Sequence, residues 1–406
     1  MLRKIASLIS GNVVFVGSQW LVLVMLTKFV GLKAAGVYAL SLAIVSPIYT
    51  LTNVGLRPVA ATDVEGENDL ADYLIISGLG NLVAAVASLT VGKLVFASTS
   101  VDLVVLSALM AAKTIESFSF VFYGFLQRRS QIEAVSRSLA MRGILGLVAF
   151  AGILVITGAY AYALYGIALA WLIVLWWGDY PRVRLLQVTS TREKSAGRRW
   201  IDVKRLFMTA YPLGILASFN VTSQQIPRYF IERQLSIEHL GIYAGIAQLA
   251  LMGTTVVNAI GQTVIGKLAE LYRHDLGSFV ALQIKALGAA GIVGILGIAL
   301  AWVVGAPLLE FLYSQEFTKF GDVFVLAMLW SAVMYLSALM GSGMSGMRLF
   351  KEQTYAGGLS LLVTLAASYV LIARFELNGA FYALIVAAIC KLSLQIGIVL
   401  KNIGRR

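Results

Sequence analysis

Apolar runs of about 20 residues recur along the whole chain, and each is long enough to cross the hydrocarbon core of a bilayer as a helix. Of the 406 residues, 59% are hydrophobic and 13% are charged, whereas soluble domains are about a quarter charged. The sequence therefore predicts an all-α integral membrane protein with no sizeable soluble domain. The N-terminal MLRK precedes a long apolar run without a small-residue cleavage site, which predicts a retained first helix.

Polar breaks between the apolar runs predict about twelve transmembrane helices. The predicted spans are 8–30, 36–60, 73–92, 102–126, 138–157, 160–180, 206–231, 240–266, 278–304, 322–346, 354–373 and 378–400. Lys and Arg concentrate on one side of this arrangement, with a dense basic linker at about 181–205. The positive-inside rule then places both termini in the cytoplasm. The acidic segment VEGENDLAD falls on the same side, but acidic residues weigh little in this rule.

The chain contains an internal repeat, in which the segment GVYA from Gly36 resembles GIYA from Gly241. The same offset pairs Ser18 with Ser223, Gln19 with Gln224, Lys28 with Arg233 and Asn53 with Asn258. We therefore expect an N-terminal six-helix bundle over 1–200, including the linker, and a C-terminal six-helix bundle over 201–406. Two pseudo-symmetric bundles are the architecture of alternating-access transporters, with the substrate site between them.

Polar residues form stripes inside the predicted spans. Asn220, Gln224 and Arg228 are spaced i, i+4, i+8 on helix seven and share one face, and Pro212 and Pro227 are expected to bend or loosen that helix. The other stripe residues are Gln19 on helix one, Asn53 and Arg57 on helix two beside Pro47 and Pro58, and Asn258 and Gln262 on helix eight. Such residues often join helices to one another, but stripes on four corresponding helices favour a wet cavity.

The ionisable residues inside the spans are mainly cationic. They are Lys28, Arg57, Lys113, Arg142, Arg228, Lys285 and Lys391, against one deep acid, Glu116, which is expected to pair with Lys113. Arg228 is the strongest substrate-binding candidate and Arg57 the second. Several of the others lie near helix ends, where long side chains reach the membrane surface. A cationic cavity predicts an anionic substrate, and arginine suits phosphate because its donors form a planar fork.

No enzyme or metal site is evident in the sequence. His239 and His274 fall in predicted loops on opposite sides, without metal-ligand spacing, and no P-loop is present. Cys390 reads as a small buried hydrophobe. The net charge of +12 is spread among the membrane spans, so it is explained by topology and predicts no nucleic-acid partner.

Two segments, GVYALSLAIVSPIYTLTNVGLRPVA from Gly36 and FYGFLQRRSQIEAVSRSLAMRGILGL from Phe122, resemble Wzx-type polysaccharide flippases of the superfamily that includes multidrug (MATE) exporters. The resemblance covers nearly the whole chain. It implies a MATE-like fold with a V-shaped cavity built largely by helices one, two, seven and eight. It also implies a substrate: an oligosaccharide on a polyprenyl pyrophosphate carrier, whose lipid tail stays in the bilayer.

The resemblance further implies transport across the cytoplasmic membrane of a bacterium, for O-antigen, capsule or exopolysaccharide synthesis, with the polysaccharide polymerase machinery as a further candidate partner. No cofactor is expected, and a coupling proton or sodium ion stays open beside the membrane potential. Three alternatives remain. They are a cation-coupled multidrug exporter, a flippase of another lipid-linked substrate such as lipid II, and a non-transporting membrane component of polysaccharide assembly.

Overall fold

A computed structural model describes residues 2–63, 68–94, 102–187 and 196–404, and these are almost entirely helical. Helices are the expected solution because hydrocarbon offers no hydrogen-bond partners, and a helix satisfies its backbone groups within itself. Part of the acidic segment (64–67) and part of the basic linker (188–195) lie outside the described residues. The prediction of an all-α chain with helices of membrane-spanning length is confirmed.

The first part of the chain contains eight α-helices. They are α1 (Leu2–Met25), α2 (Leu32–Thr52), α3 (Leu56–Thr62), α4 (Leu70–Leu94), α5 (Leu103–Arg128), α6 (Ile132–Thr157), α7 (Tyr160–Val174) and α8 (Tyr180–Gln187). Two short π-helical turns extend them: Leu26–Val30 follows α1, and Leu175–Asp179 joins α7 to α8. Asp102 begins α5 by accepting a hydrogen bond from the backbone amide of Val104 at 2.8 Å, as expected of an N-terminal cap.

The second part contains six longer α-helices. They are α9 (Ala196–Gln234), α10 (Ile237–Leu251), α11 (Thr254–His274), α12 (Leu276–Leu312), α13 (Gly321–Gly346) and α14 (Phe350–Ile403), with a 3-10 turn (Gln315–Phe320) before α13. Asp275 caps α12 through the backbone amide of Ser278 at 3.0 Å. Ser236 caps α10 through the amide of His239 at 3.3 Å.

Within the described residues, ten helices are long and apolar enough to cross a membrane, and the difference from twelve has two sources. The helix α9 is absent from the ten because it is rich in polar residues. The helix α14 contains two predicted spans, separated at Glu376 by a non-helical conformation with φ 52°. Ser360 Oγ donates to the carbonyl oxygen of Ala387 at 3.3 Å. A straight helix would hold those residues about 40 Å apart, so the chain reverses at Glu376.

The chain forms two compact units, whose borders fall near the end of α1 and inside α9. The first unit comprises Met1–Leu26 and Val37–Val221, and the second comprises Thr27–Gly36 and Thr222–Arg406. Apolar packing holds each together: Val54, Tyr73 and Leu126 belong to a core of the first unit, and Leu268 and Met344 to a core of the second. The division into six-helix halves at residue 200 stays a prediction.

Two repeat-related glycines make a reciprocal contact in the second unit. A Cβ atom placed on Gly36 would lie 1.9 Å from the carbonyl oxygen of Ile237, and one placed on Gly241 would lie 2.4 Å from that of Leu32. The repeat that pairs Gly36 with Gly241 also pairs Leu32 with Ile237. Each copy therefore presents the corresponding five-residue segment to the other, and glycine is required because the two backbones nearly touch.

We predict that Gly36→Ala and Gly241→Ala each destabilise the protein, because the added methyl group would push against backbone that cannot rotate away. Overpacking of this kind costs about 1–3 kcal/mol. The thermal unfolding midpoint of the purified protein in detergent should fall for both variants, and the two decreases should be similar to each other. Gly288→Ala is the control, since a Cβ there would meet nothing within 4 Å, and its midpoint should not fall. Unchanged midpoints for both variants would contradict the contact.

Candidate functional site

Arg57 is positioned by a break in the second predicted span. The helix α2 ends at Thr52, and α3 begins at Leu56, after two residues with positive φ, Val54 (42°) and Gly55 (67°). Arg57 therefore lies in the first turn of α3. Pro47 and Pro58 are expected from the sequence to kink this span, and the break falls between them: α2 continues through Pro47, and Pro58 occupies the first turn of α3, where a missing N–H is tolerated.

The Arg57 guanidinium rests on an aromatic surface of α5. Its central carbon lies 5.8 Å from the ring centroid of Phe120 and 5.5 Å from that of Tyr123. Its Nε donates to Oε1 of Gln127 at 3.4 Å. These partners lie three and four residues apart on one face of α5. A guanidinium has five donors in a planar fork, of which Gln127 takes one, so the half-buried Arg57 is suited to binding a phosphate group.

Gly124 brings Arg57 onto this surface. A Cβ atom placed on Gly124 would lie 2.8 Å from the carbonyl oxygen of Arg57 and 2.6 Å from Cβ of Ala60. The helices α3 and α5 therefore touch at a residue without a side chain. Any larger residue at this position would move α3 outward and lift Arg57 from the rings below it.

A second arginine, Arg142 on α6, lies fully buried next to this surface, with 0% of its area exposed. Its guanidinium carbon is 4.4 Å from the ring centroid of Trp171 and 5.9 Å from that of Phe15. Its Nη1 donates to the Tyr123 hydroxyl at 3.3 Å, and the Trp171 indole donates to the Arg142 carbonyl at 3.1 Å. The sequence places Arg142 within reach of the inner surface, whereas the structure buries it in the first unit.

The Tyr123 hydroxyl also connects Arg142, through Ser138, to a buried carboxylate. It lies 2.8 Å from Oγ of Ser138, and Ser138 Oγ donates to Oδ2 of Asp179 at 2.8 Å. Asp179, in the π-helical turn, is 0% exposed, and Ser138 is 1% exposed. Arg142, Tyr123, Ser138 and Asp179 thus form one buried chain, which we call the Tyr123 network. Asp179 was not predicted from the sequence as part of a site, because it ends an apolar run and resembles an ordinary helix-end residue.

The expectation of one deep acid is wrong. Asp72 and Asp179 are both 0% exposed, beside Glu116 at 8%. The predicted pair does form, with Lys113 Nζ 2.6 Å from Oε2 of Glu116. Asp72 lies 3.8 Å from Nε of Arg199. The excess of cations in the membrane spans is therefore smaller than the sequence indicates, because buried acids balance part of it.

Asn220, Gln224 and Arg228 follow one another along α9, which is continuous through Pro212 and Pro227. Neither proline therefore ends the helix, and the expected bend stays a prediction. Asn220 Nδ2 donates to the carbonyl oxygen of Leu216, one turn earlier, at 3.1 Å. Asn220 belongs to the first unit, whereas Gln224 and Arg228 belong to the second.

In the part of α9 that belongs to the second unit, Arg228 is buried, with 6% of its area exposed. The phenol groups of Tyr229 and Tyr243 lie close enough to interact electrostatically with its positive charge. Tyr243, on α10, is itself buried and packs against Phe381 with ring centroids 5.1 Å apart. Arg228 thus resembles Arg57 in lying close to tyrosine, although it is much less exposed.

The remaining predicted residues are less deeply placed. Gln19 and Asn53 are half-buried in the first unit, and Asn258 and Gln262 are exposed on one face of α11. The repeat pairs Asn53 with Asn258, but Asn53 lies in the break after α2, whereas Asn258 lies inside α11. Within the described residues, no group of three His, Cys, Asp or Glu side chains is placed to hold a metal ion.

Residues 1–266 match the family model of polysaccharide biosynthesis proteins. The chain is also similar to a capsular polysaccharide biosynthesis protein, CapF, of Staphylococcus aureus. The two are 21% identical over 400 residues, which cover 94% of each chain.

Solved structures share the fold at low identity. The lipid II flippase MurJ, in an inward closed conformation, has a TM-score of 0.74 at 10% identity, with 98% of this chain and 87% of that chain covered. A multidrug resistance MATE family transporter of the MOP superfamily, in an inward-facing conformation, has a TM-score of 0.67 at 13% identity, with 100% and 96% covered. These likenesses establish the MATE-like fold.

We predict that Tyr123→Phe destabilises the protein, because it leaves Arg142 and Ser138 without their shared hydroxyl in a buried site. A buried group that loses its partner costs about 1–3 kcal/mol. The free energy of unfolding in detergent, measured with a denaturant, should fall by that amount. Tyr355→Phe is the matched control, since Tyr355 is 76% exposed. Equal stability of the two variants would mean that the network contributes nothing to folding.

Proposed function

The chain belongs to the polysaccharide biosynthesis protein family, and we propose that it is a flippase for an oligosaccharide linked to polyprenyl pyrophosphate. The proposal draws support from the similarity to a capsular polysaccharide biosynthesis protein and from the fold shared with a lipid II flippase. Transport would proceed by alternating access of the two bundles, with no covalent chemistry. The product would serve synthesis of a surface polysaccharide such as O-antigen, capsule or exopolysaccharide.

The observation that carries the proposal is the Arg57 guanidinium, whose central carbon lies over the rings of Phe120 and Tyr123. Its planar donors match two phosphate oxygens at once, which a lysine ammonium does not. Arg228, in the second unit, is a separate buried cation and a further candidate. The amides of Gln224 and Asn258 suit sugar hydroxyl groups, because an amide both donates and accepts hydrogen bonds.

The membrane setting follows from the same proposal. The chain is a multi-pass membrane protein, and we place it in the cytoplasmic membrane of a bacterium with both termini in the cytoplasm, on the basis of its Lys and Arg distribution. The lipid tail of the substrate would stay among membrane lipids, and the polysaccharide polymerase machinery is a candidate partner. No cofactor is part of the mechanism.

A cation exporter is the second candidate, favoured by the buried carboxylate of Asp179. Drug cations bind buried acids that have no competing cation. In the Tyr123 network, however, Arg142 lies on the same tyrosine that leads to Asp179. This arrangement weakens the case for a cationic substrate at Asp179.

We predict that deletion of the gene leaves lipid-linked oligosaccharide inside the cell, and that Arg57→Ala or Arg228→Ala fails to restore export. A hydrogen bond to a charged group contributes about 1.5–3 kcal/mol, so flipping should fall about tenfold to a hundredfold. The measurement is lipid-linked oligosaccharide in each leaflet, with membrane insertion checked separately. Arg233→Ala is the control because Arg233 is exposed on the same helix as Arg228. Full export by both variants would rule out these arginines as the pyrophosphate site.

We also predict that an inside-negative potential drives export. Each uncompensated negative charge that leaves the cell gains about 2.3 kcal/mol per 100 mV. Flipping in proteoliposomes with an imposed potential should run faster and further than flipping without one. A rate and end point indifferent to potential would contradict this prediction, because the charge of the substrate would then cross fully compensated.

A further inference from the structure

The donors and acceptors of the Tyr123 network run in one direction. The Arg142 guanidinium can only donate, and it donates to the Tyr123 oxygen. Ser138 donates to Asp179, so its oxygen must accept the proton of the Tyr123 hydroxyl. The resulting chain runs from Arg142 through Tyr123 and Ser138 to Asp179. Every hydrogen atom in it is assigned, on the condition that the Asp179 carboxylate is ionised.

A proton on Asp179 breaks this order. A proton bound on Oδ2 of Asp179 donates to Ser138 Oγ, whose own hydrogen then turns toward the Tyr123 oxygen, whereas a proton on Oδ1 would have no hydrogen-bond partner among the described residues. That oxygen already accepts from Arg142, so the Tyr123 hydrogen no longer has an acceptor in the chain. Since Tyr123 is 0% exposed, a hydroxyl without an acceptor is costly, and the side chain has a reason to move.

Tyr123 is also the ring on which Arg57 rests, at 5.5 Å. The ring of Tyr123 therefore contacts the proposed pyrophosphate-binding arginine, and its hydroxyl is linked through Ser138 to the buried carboxylate. A movement of Tyr123 would disturb the Arg57 contact directly, through one residue. This contact is a cation–π interaction, whose energy depends on the ring position.

The surroundings of Asp179 allow it to bind a proton. Its Oδ1 has no hydrogen-bond partner among the described residues, and an ionised carboxylate in an apolar interior carries a desolvation cost that a proton removes. The described charged and titratable groups that face it are Arg142 on α6, Arg182 on α8 and, through Ser138, Tyr123 on α5. The two guanidinium groups oppose the binding of any cation, a proton included, so it is the burial of the carboxylate that favours a proton at this site.

We propose that Asp179 is the proton-binding site of this transporter, and that its protonation is transmitted through Ser138 and Tyr123 to weaken the hold of Arg57 on the substrate. The proposal rests on the proposed function, with Arg57 as a pyrophosphate ligand. Asp179 acts as a positioning residue, because it does not touch the substrate. A proton that binds Asp179 favours substrate release. An exporter that exchanges a proton for its substrate requires this coupling.

The first test uses the purified full-length protein without substrate. The infrared absorption of protonated carboxyl groups is followed as the pH is lowered, in the wild type, Asp179→Asn and Glu133→Gln. We expect a band that appears in the wild type and in Glu133→Gln, whose carboxylate is exposed on α6, but not in Asp179→Asn. An identical titration in wild type and Asp179→Asn would overturn the proton site.

The second test measures binding of a polyprenyl pyrophosphate at mildly acidic and mildly alkaline pH. Wild-type affinity should be roughly tenfold weaker at acidic pH, which corresponds to the loss of one cation–π contact. Asp179→Asn should bind weakly at both values, since its amide donates to Ser138 as a protonated acid does. Ser138→Ala should keep the infrared band of Asp179 but lose the pH dependence of binding, because the link to Tyr123 is cut.

Wild-type pH dependence that persists in Asp179→Asn or in Ser138→Ala would overturn the transmission to Arg57. If neither the wild type nor any variant binds the probe at either pH, the proposed function is overturned. The infrared titration then tests the proton site by itself. Thermal unfolding of each variant in detergent identifies any that fail to fold. The two proposals therefore fail in distinguishable ways.

Discussion

Hydrocarbon offers no partner to a backbone amide or a charged side chain, and within the described residues the protein meets most of this demand with its own groups. Its backbone is helical almost wherever the structure describes it. Its buried charges meet groups of the same chain: Glu116 contacts Lys113 at 2.6 Å, and Asp179 accepts from Ser138. An isolated charge in this setting would cost several kcal/mol, so each partner is part of what allows the fold to exist.

Aromatic faces serve as the second kind of partner, and two arginines use them differently. Arg142 is fully enclosed by the rings of Trp171 and Phe15, where it stabilises the helix packing. Arg57 lies on Phe120 and Tyr123 but stays half-buried, which leaves its fork accessible to a ligand. Tyr123 takes part in both arrangements. The helix packing of the first unit and its candidate anion site therefore share one side chain.

The sequence predicted the residue types of the candidate site better than their surroundings. Arg57 and the Lys113–Glu116 pair were identified from spacing and from charge inside apolar runs. Asp179 was missed because an acid at the end of an apolar run looks like a helix-end residue, and its burial arises from neighbours on α5 and α6. The prolines did not locate the helix break. The helix α2 continues through Pro47 and ends beside Gly55, and α9 continues through Pro212 and Pro227.

The sequence by itself determined the class of protein, the approximate spans and the internal repeat, because hydrophobic length and charge asymmetry act along the chain and need no tertiary contact. The glycines of the repeat, Gly36 and Gly241, were visible as a pattern, and their reciprocal contact became visible in the structure. Only the tertiary structure decided which charges are buried and what they touch. Burial depends on how each helix is rotated and where it breaks, and those are set by contacts between residues far apart in the chain.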